Sequence, residues 1–301
     1  MTIYEAHRII REYYMITNPT EEDDFLYTEA LSYVVEETQD PEYILELGGY
    51  YYDRRNFDLA LKYYELAAAY GSDEAMLGLG YIWYYGRTGE KDYEKAFYYY
   101  DQASRRGSIV GAYKMADMYK NGYYVEKSFD RYKEIVEGLY PMIRNNKNPH
   151  APLPEVFTRL GKIRADEGST DEALRLYGSA RTALEKRIRD NPFFGNLTIM
   201  KYLILDTYSL RPFDAEAFGL YDLYYILGEP AKVRFRFEDE DHEVEAVRED
   251  GEVVVRFDDK WFRTVDDFFK RAEVDGEKLT ARYEELRDFE LERRETGEAA
   301  E

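Results

Sequence analysis

Catalysis needs a group that can carry a proton, hold a metal or attack a carbon, and this sequence offers few in any useful arrangement. Its three histidines, His7, His150 and His242, share no spacing, whereas metal ligation and acid–base relays need two or more such groups brought to one face. None of the 301 residues is a cysteine, so thiol nucleophiles, zinc–thiolate sites and disulfides are excluded. The acidic run EDEDHE, Glu238 to Glu243, supplies oxygen ligands but lacks the central glycine and distal glutamate of a calcium loop; it reads as a solvated hairpin tip. GRTGEKD, residues 86–92, has two glycines, yet it follows no strand and lacks the Lys-Ser/Thr pair that holds phosphate. It is a turn. With 62 acidic side chains, no carboxylate pair stands out as general acid and base. The sequence therefore assigns no catalytic residue, metal or cofactor. What remains is recognition by aromatic rings: the chain has 32 tyrosines, each offering contact area and a hydroxyl at low entropic cost.

Those rings sit in a repeated frame. Ala75, Leu79, Gly80, Trp83 and Gly86 occupy a first helix and its turn, and Tyr93, Ala96, Tyr100, Ala103 and Gly107 a second. Thirty-six residues on come Gly111, Met115, Ala116, Tyr119 and Gly122, then Phe129, Tyr132, Val136 and Leu139. One segment earlier stand Leu47, Gly48 and Tyr51, then Phe57, Ala60, Tyr64, Ala67 and Gly71, with DRRN in place of the longer turn. Apolar residues at helical spacing give each segment two amphipathic helices that cannot cover their own apolar faces. Stacking on the next pair does so, which makes the chain an array with nearest-neighbour stability. Tyr64 and Tyr100 are expected as wedges between helices.

Residues 70–140 resemble Sel1-like repeats, on AMLGLGYIWYYGRTGEKDYEKAFYYYDQASRRG above all. The third segment departs from that plan at Tyr132, where a small residue is expected. The shorter segments LELGGYYYDRRNFDLALKYYELA and RLGKIRADEGSTDEALRLYGSA resemble tetratricopeptide repeats, and a weaker segment places Ala217, Tyr221, Tyr224 and Gly228 on a second helix. The resemblance implies a mainly α fold: an α-solenoid of helix-turn-helix repeats with a small C-terminal α+β domain. It reaches from about Pro41 to Gly228. In such arrays the first helices line a concave groove, and the matching positions here are Tyr52, Tyr81, Tyr84, Tyr85, Tyr113, Lys120, Asn121 and Lys162.

Four regions are expected: an N-terminal helical cap over 1–40, the solenoid over 41–228, an α+β module over 229–295 and a disordered tail over 296–301. The cap begins near Thr2, and TNPTEEDD marks its second helix start. PMIRNNKNPHAPLPEV, residues 141–156, reads as a loop or hinge, and RDNPFFGN as a second break. Beyond Pro230 the pattern alternates with a period of two, and Asp250-Gly251 signals a hairpin. Thr264 is placed to cap a helix, and DGEKLTARYEELRDFEL to add another helix and a short last strand.

The formal charge is −21, which argues against nucleic acid and anionic membranes as partners. No apolar run approaches the length of a membrane span, and no signal peptide is visible, so a cytoplasmic protein is expected. The resemblance implies a non-catalytic interaction scaffold that holds a peptide or partner protein, a basic one given the charge. Two alternatives stay open: an immunity-like protein that neutralises a basic toxin, and a hydrolase with His242 and Asp239 or Asp241 in the C-terminal module.

Overall fold

Thr2 and Thr20 start the first two helices by the same device. The Thr2 hydroxyl accepts from the Glu5 amide at 3.2 Å while the Glu5 carboxylate accepts from the Thr2 amide at 2.7 Å, and Thr20 and Asp23 repeat the exchange. These boxes open α1 (Ile3–Tyr13) and α2 (Glu21–Thr38). The computed structural model describes residues 1–146, 151–191 and 194–293. His150, part of the second break and the 296–301 tail lie outside the described residues.

The chain divides into two compact units, residues 1–139 and 140–301. In the first, α1 and α2 are followed by α3 (Pro41–Asp53), α4 (Phe57–Ala69), α5 (Asp73–Tyr85), α6 (Tyr93–Arg105), α7 (Ile109–Asn121) and the start of α8 (Phe129–Ile143). From α1 to α7 each helix packs on the next through small residues and aliphatic side chains, with Ala60, Ala67, Leu47, Ala75 and Leu79 wholly buried. Burial of each Leu contributes roughly 1.5–3 kcal/mol.

Three of the helix pairs are each locked by one ring. Tyr64 lies against the backbones of two first helices: a Cβ at Gly48 would sit 2.6 Å from its Cδ1, and one at Gly78 2.5 Å from its Cε2. Tyr100 lies on Gly80, and Tyr177 on Gly161, in the same manner. Tyr64 and Tyr100 are thus the wedges their spacing predicted. In the third repeat the ring position holds Val136 and the glycine position holds Ala116, both fully buried. A smaller wedge leaves room for a methyl group. The Tyr100 hydroxyl is buried with no hydrogen-bond partner, a desolvation cost of about 1 kcal/mol or more. Tyr100→Phe should therefore raise the stability of the first unit slightly or leave it unchanged in urea denaturation. A clear loss would show that the hydroxyl is satisfied in solution.

In the second unit, α9 (Leu153–Asp166) and α10 (Thr170–Asp190) form one more repeat-like pair, and α11 (Phe194–Leu210) packs on α10. The loop expected over 141–156 is shorter than its composition suggested. Pro141 lies within the last turn of α8, and Pro154 at the second position of α9, where a missing N–H forfeits nothing. The helix expected around Ala217 to Gly228 is also absent as such. Arg211 to Gly219 form turns, and only a 3-10 turn over Leu220–Asp222 and α12 (Leu223–Ile226) follow. There the chain is held by a buried carboxylate instead: Asp222 accepts two hydrogen bonds from Arg181 at 2.8 Å, one from Tyr208 at 2.7 Å and one from the Gly219 amide at 2.7 Å.

Five antiparallel strands follow, β1 (Ala231–Phe237), β2 (Glu240–Glu249), β3 (Glu252–Phe257), β4 (Lys260–Phe262) and, after a helix and a two-stranded ribbon, β7 (Leu286–Arg293). Their order is β4-β3-β2-β1-β7. Val233, Phe235 and Phe237 alternate with exposed Arg234 and Arg236, so one face builds the core. Asp250 and Gly251 turn the β2–β3 hairpin with φ of 48° and 86°, as their sequence signals. Thr264 caps α13 (Val265–Arg271), whose Phe269 stacks 3.8 Å from the Tyr224 ring. The ribbon is β5 (Glu273–Val274) with β6 (Glu277–Lys278). The helix expected after Asp275 is replaced by β6 and 3-10 turns, and the last strand expected there is the eight-residue β7. Its charged stretch pairs with the free edge of β1, and that edge outweighs local helix propensity.

Candidate partner-binding face

The first helices of the repeats, α3, α5 and α7, carry seven of the eight residues singled out from the sequence, and α9 carries Lys162. On α5, Tyr81 and Tyr85 stand four residues apart and so share a face, their rings stacked at 6.3 Å and 18°. Tyr85 is 45% exposed. Lys114 of α7 lies 5.1 Å from the Tyr81 centroid, and Arg87 5.1 Å from that of Tyr85. Tyr52 is half-buried, edge-on to Phe57 at 5.4 Å and tilted on Tyr64 at 6.2 Å. Asn121 is exposed at the end of α7 and donates to the Asp117 carbonyl at 2.8 Å, and Lys120 lies 5.1 Å from the Tyr132 ring.

Two of the tyrosines are placed differently from the groove-lining role the resemblance implied. Tyr84 is half-buried among Tyr85 at 4.9 Å, Tyr93 at 5.5 Å and Tyr123 at 5.9 Å. Burial first, then the neighbouring phenols and Asp117, push its hydroxyl up to about 12. Tyr113 is only 6% exposed. It faces inward because α7 begins under the last turns of α6, where Gly111 sits against the Tyr100 carbonyl. Lys162 belongs to the second unit, where it forms an ion pair with Asp206 at 3.0 Å. The structure thus brings together Tyr81, Tyr84 and Tyr85, leaves Tyr52 half-buried on α3 and buries Tyr113. Reading the sequence missed Tyr93 and Tyr123, stacked at 4.6 Å and 4°. Their clue was the Gly122-Tyr123-Tyr124 turn, where a ring follows the helix-ending glycine.

A protein-family model for the Sel1 repeat matches residues 41–72, 73–108 and 109–131. Residues 41–131 are Sel1 repeats. The first of them, whose short turn resembles a tetratricopeptide repeat, belongs with the other two. An uncharacterized Sel1-like repeat-containing protein of Schizosaccharomyces pombe is 36% identical over 95 residues, a match that spans 31% of this chain and 14% of that protein. Among solved structures, the chain is similar to a Sel1 repeat protein from Oxalobacter formigenes, with a TM-score of 0.48 and 19% identity over 67% of this chain and 78% of that one. It is also similar to a protective antigen of uropathogenic Escherichia coli strains that displays an SLR fold, with a TM-score of 0.47 and 16% identity, covering 69% of this chain and 50% of that one.

The charged groups of the sheet have local partners. His242 Nδ1 lies 2.8 Å from Asp258, not against Asp239 or Asp241, and Asp241 instead accepts from Arg236 at 3.0 Å. Glu243 meets Lys232 at 3.0 Å and Arg234 at 3.2 Å. Of the run EDEDHE, only Glu238 and Asp239 form the hairpin turn; the rest lies in β2. Among the described residues, no group of acids and histidines is arranged to hold a metal ion, and no helix is long and apolar enough to cross a membrane.

Proposed function

We propose that this protein is a non-catalytic scaffold that holds a segment of a partner protein across the first-helix face of its Sel1 repeats, at Tyr81 and Tyr85. Proteins built from such repeats are generally interaction scaffolds. The observation that carries the reading is the stacked Tyr81–Tyr85 pair, with Tyr85 45% exposed and Tyr81 resting edge-on against the Tyr100 lock ring at 6.0 Å. Lys114 and Arg87 already sit on these rings, so the contact there is made by ring edges and hydroxyls. The charge acts elsewhere. Helix α2 carries Glu21, Glu22, Asp23, Asp24, Glu29, Glu36 and Glu37 and no Lys or Arg, a field that steers a basic partner and repels nucleic acid and anionic membrane. A cytoplasmic setting fits this reading.

The test is a pull-down from the native lysate with the full chain and with the Tyr81→Ser/Tyr85→Ser variant, read by quantitative mass spectrometry. A basic protein should be recovered by the native chain and reduced about tenfold by the variant, a loss of about 1.4 kcal/mol, at a temperature below the unfolding transition of both chains. Equal recovery by both would refute the assignment.

A further inference from the structure

The second helices have a surface of their own that repeat packing does not consume. On α6, Ala96, Tyr100 and Ala103 face the core. Glu94, Phe97, Tyr98 and Asp101 instead line an open depression, together with Tyr124 from the turn after α7. Tyr98 and Tyr124 are each 57% exposed. Phe97 and Tyr124 stand 5.8 Å apart with planes at 50°, so they wall the depression instead of closing over it. Glu94 and Asp101 are seven residues apart, about 10 Å along the helix axis, and flank the rings. Glu94 accepts from the Tyr124 hydroxyl at 3.1 Å through Oε1, and Asp101 accepts from Arg105 at 2.7 Å through Oδ2. One oxygen of each carboxylate is left over. Lys95 lines the same depression, but its ammonium is held 3.9 Å over Trp83 and 3.3 Å from Asp92.

Tyr124 adds an independent observation. Its φ is 65°, a left-handed conformation where glycine or asparagine is ordinary and a ring-bearing residue is strained. The chain keeps a bulky, exposed ring where its own backbone disfavours one.

We propose that this depression binds the guanidinium of an arginine in a basic segment of a partner protein. A cation over tyrosine and phenylalanine faces is attracted by the ring quadrupole. A planar guanidinium also presents a fork of donors to carboxylates on either side, which a lysine ammonium cannot match. This second-helix site stands apart from the Tyr81–Tyr85 face and does not depend on it.

Binding of a ten-residue peptide of alternating arginine and glycine to the full chain, measured by calorimetry at low salt, tests the proposal. Lysine-for-arginine and glutamate-for-arginine peptides complete the set. The arginine peptide should bind about threefold more tightly than the lysine peptide, and the glutamate peptide should not bind. Tyr98→Ser and Tyr124→Gly should each weaken arginine-peptide binding about threefold to fivefold, while Tyr81→Ser/Tyr85→Ser leaves it unchanged. Tyr124→Gly should melt no lower than the native chain, because glycine suits the left-handed backbone. Affinity unchanged in both ring variants would mean that the peptide is gathered elsewhere on the acidic surface, and would overturn the proposal. Equal binding of the lysine peptide, or a lower melting point in Tyr124→Gly without loss of affinity, would overturn it as well.

Discussion

Gly80→Ala lowers the stability of the first unit by about 2–3 kcal/mol, although alanine is the better helix former by about 1 kcal/mol. The new methyl group has nowhere to go, because the ring of fully buried Tyr100 already covers the glycine. Neither side can yield: Ala96 and Ala103, both wholly buried, flank the ring on α6. Tyr100→Val alone leaves a cavity and is expected to cost about 2–4 kcal/mol. In the double variant the methyl group enters that cavity, as Ala116 and Val136 stand in for the pair in the third repeat. Gly80→Ala/Tyr100→Val should therefore be no less stable than Tyr100→Val alone, a coupling of about 2 kcal/mol. Trp83 belongs to the first unit and Trp261 to the second, so urea unfolding followed by fluorescence in a Trp261→Phe background isolates the relevant transition. Additive losses would show that ring and glycine do not form a lock.

In the second unit, Asp222→Asn is expected to destabilise by about 3–5 kcal/mol, the usual consequence of removing one partner of a buried ion pair. Asp222 is fully buried and carries four hydrogen bonds. Burial by itself would raise its carboxyl pKa, but the Arg181 hydrogen bonds and charge, the Gly219 amide and the Tyr208 hydroxyl outweigh burial and hold it below the ordinary value. The sign of the pH dependence follows. The unfolded carboxyl takes up its proton near pH 4, before the folded one does. The stabilisation is therefore complete above that pH and is lost as pH falls through the lower folded value. The native second unit should weaken steadily below about pH 4, and Asp222→Asn should lose that part of the slope. Parallel acid profiles for the two would contradict the role given to Asp222.

Much of the fold was legible because its signals are local. Thr2 and Thr20 announce helices through an acid three residues on, Asp250-Gly251 announces its hairpin, and the glycine and tyrosine positions recur with the repeat. The misreadings share a non-local cause. The stretch from Glu277 to Glu285 has helical composition, yet it forms a ribbon strand and 3-10 turns, because the strand expected after it, β7, pairs with β1 more than forty residues away. Asp222 looks like one acid among many until Arg181, forty-one residues earlier, turns out to meet it. At the candidate site, the repeat resemblance picked Tyr81, Tyr85 and Tyr113 alike. It could not say that Tyr113 faces inward, since that depends on how closely α7 approaches α6. Tyr98 and Tyr124 escaped notice because they lie on different elements and line one depression only through the turn after α7.

The most direct measurement replaces Tyr85 with a photo-crosslinking phenylalanine derivative in the full chain and irradiates it in the native lysate, with Tyr70 at the end of the second helix α4, 48% exposed against 45% for Tyr85, as the matched position. If the first-helix face of the Sel1 repeats is where a partner lies, position 85 yields a discrete cross-linked protein, position 70 does not, and Tyr81→Ser abolishes the product. Cross-linking equally from both positions, or a product untouched by Tyr81→Ser, would contradict it.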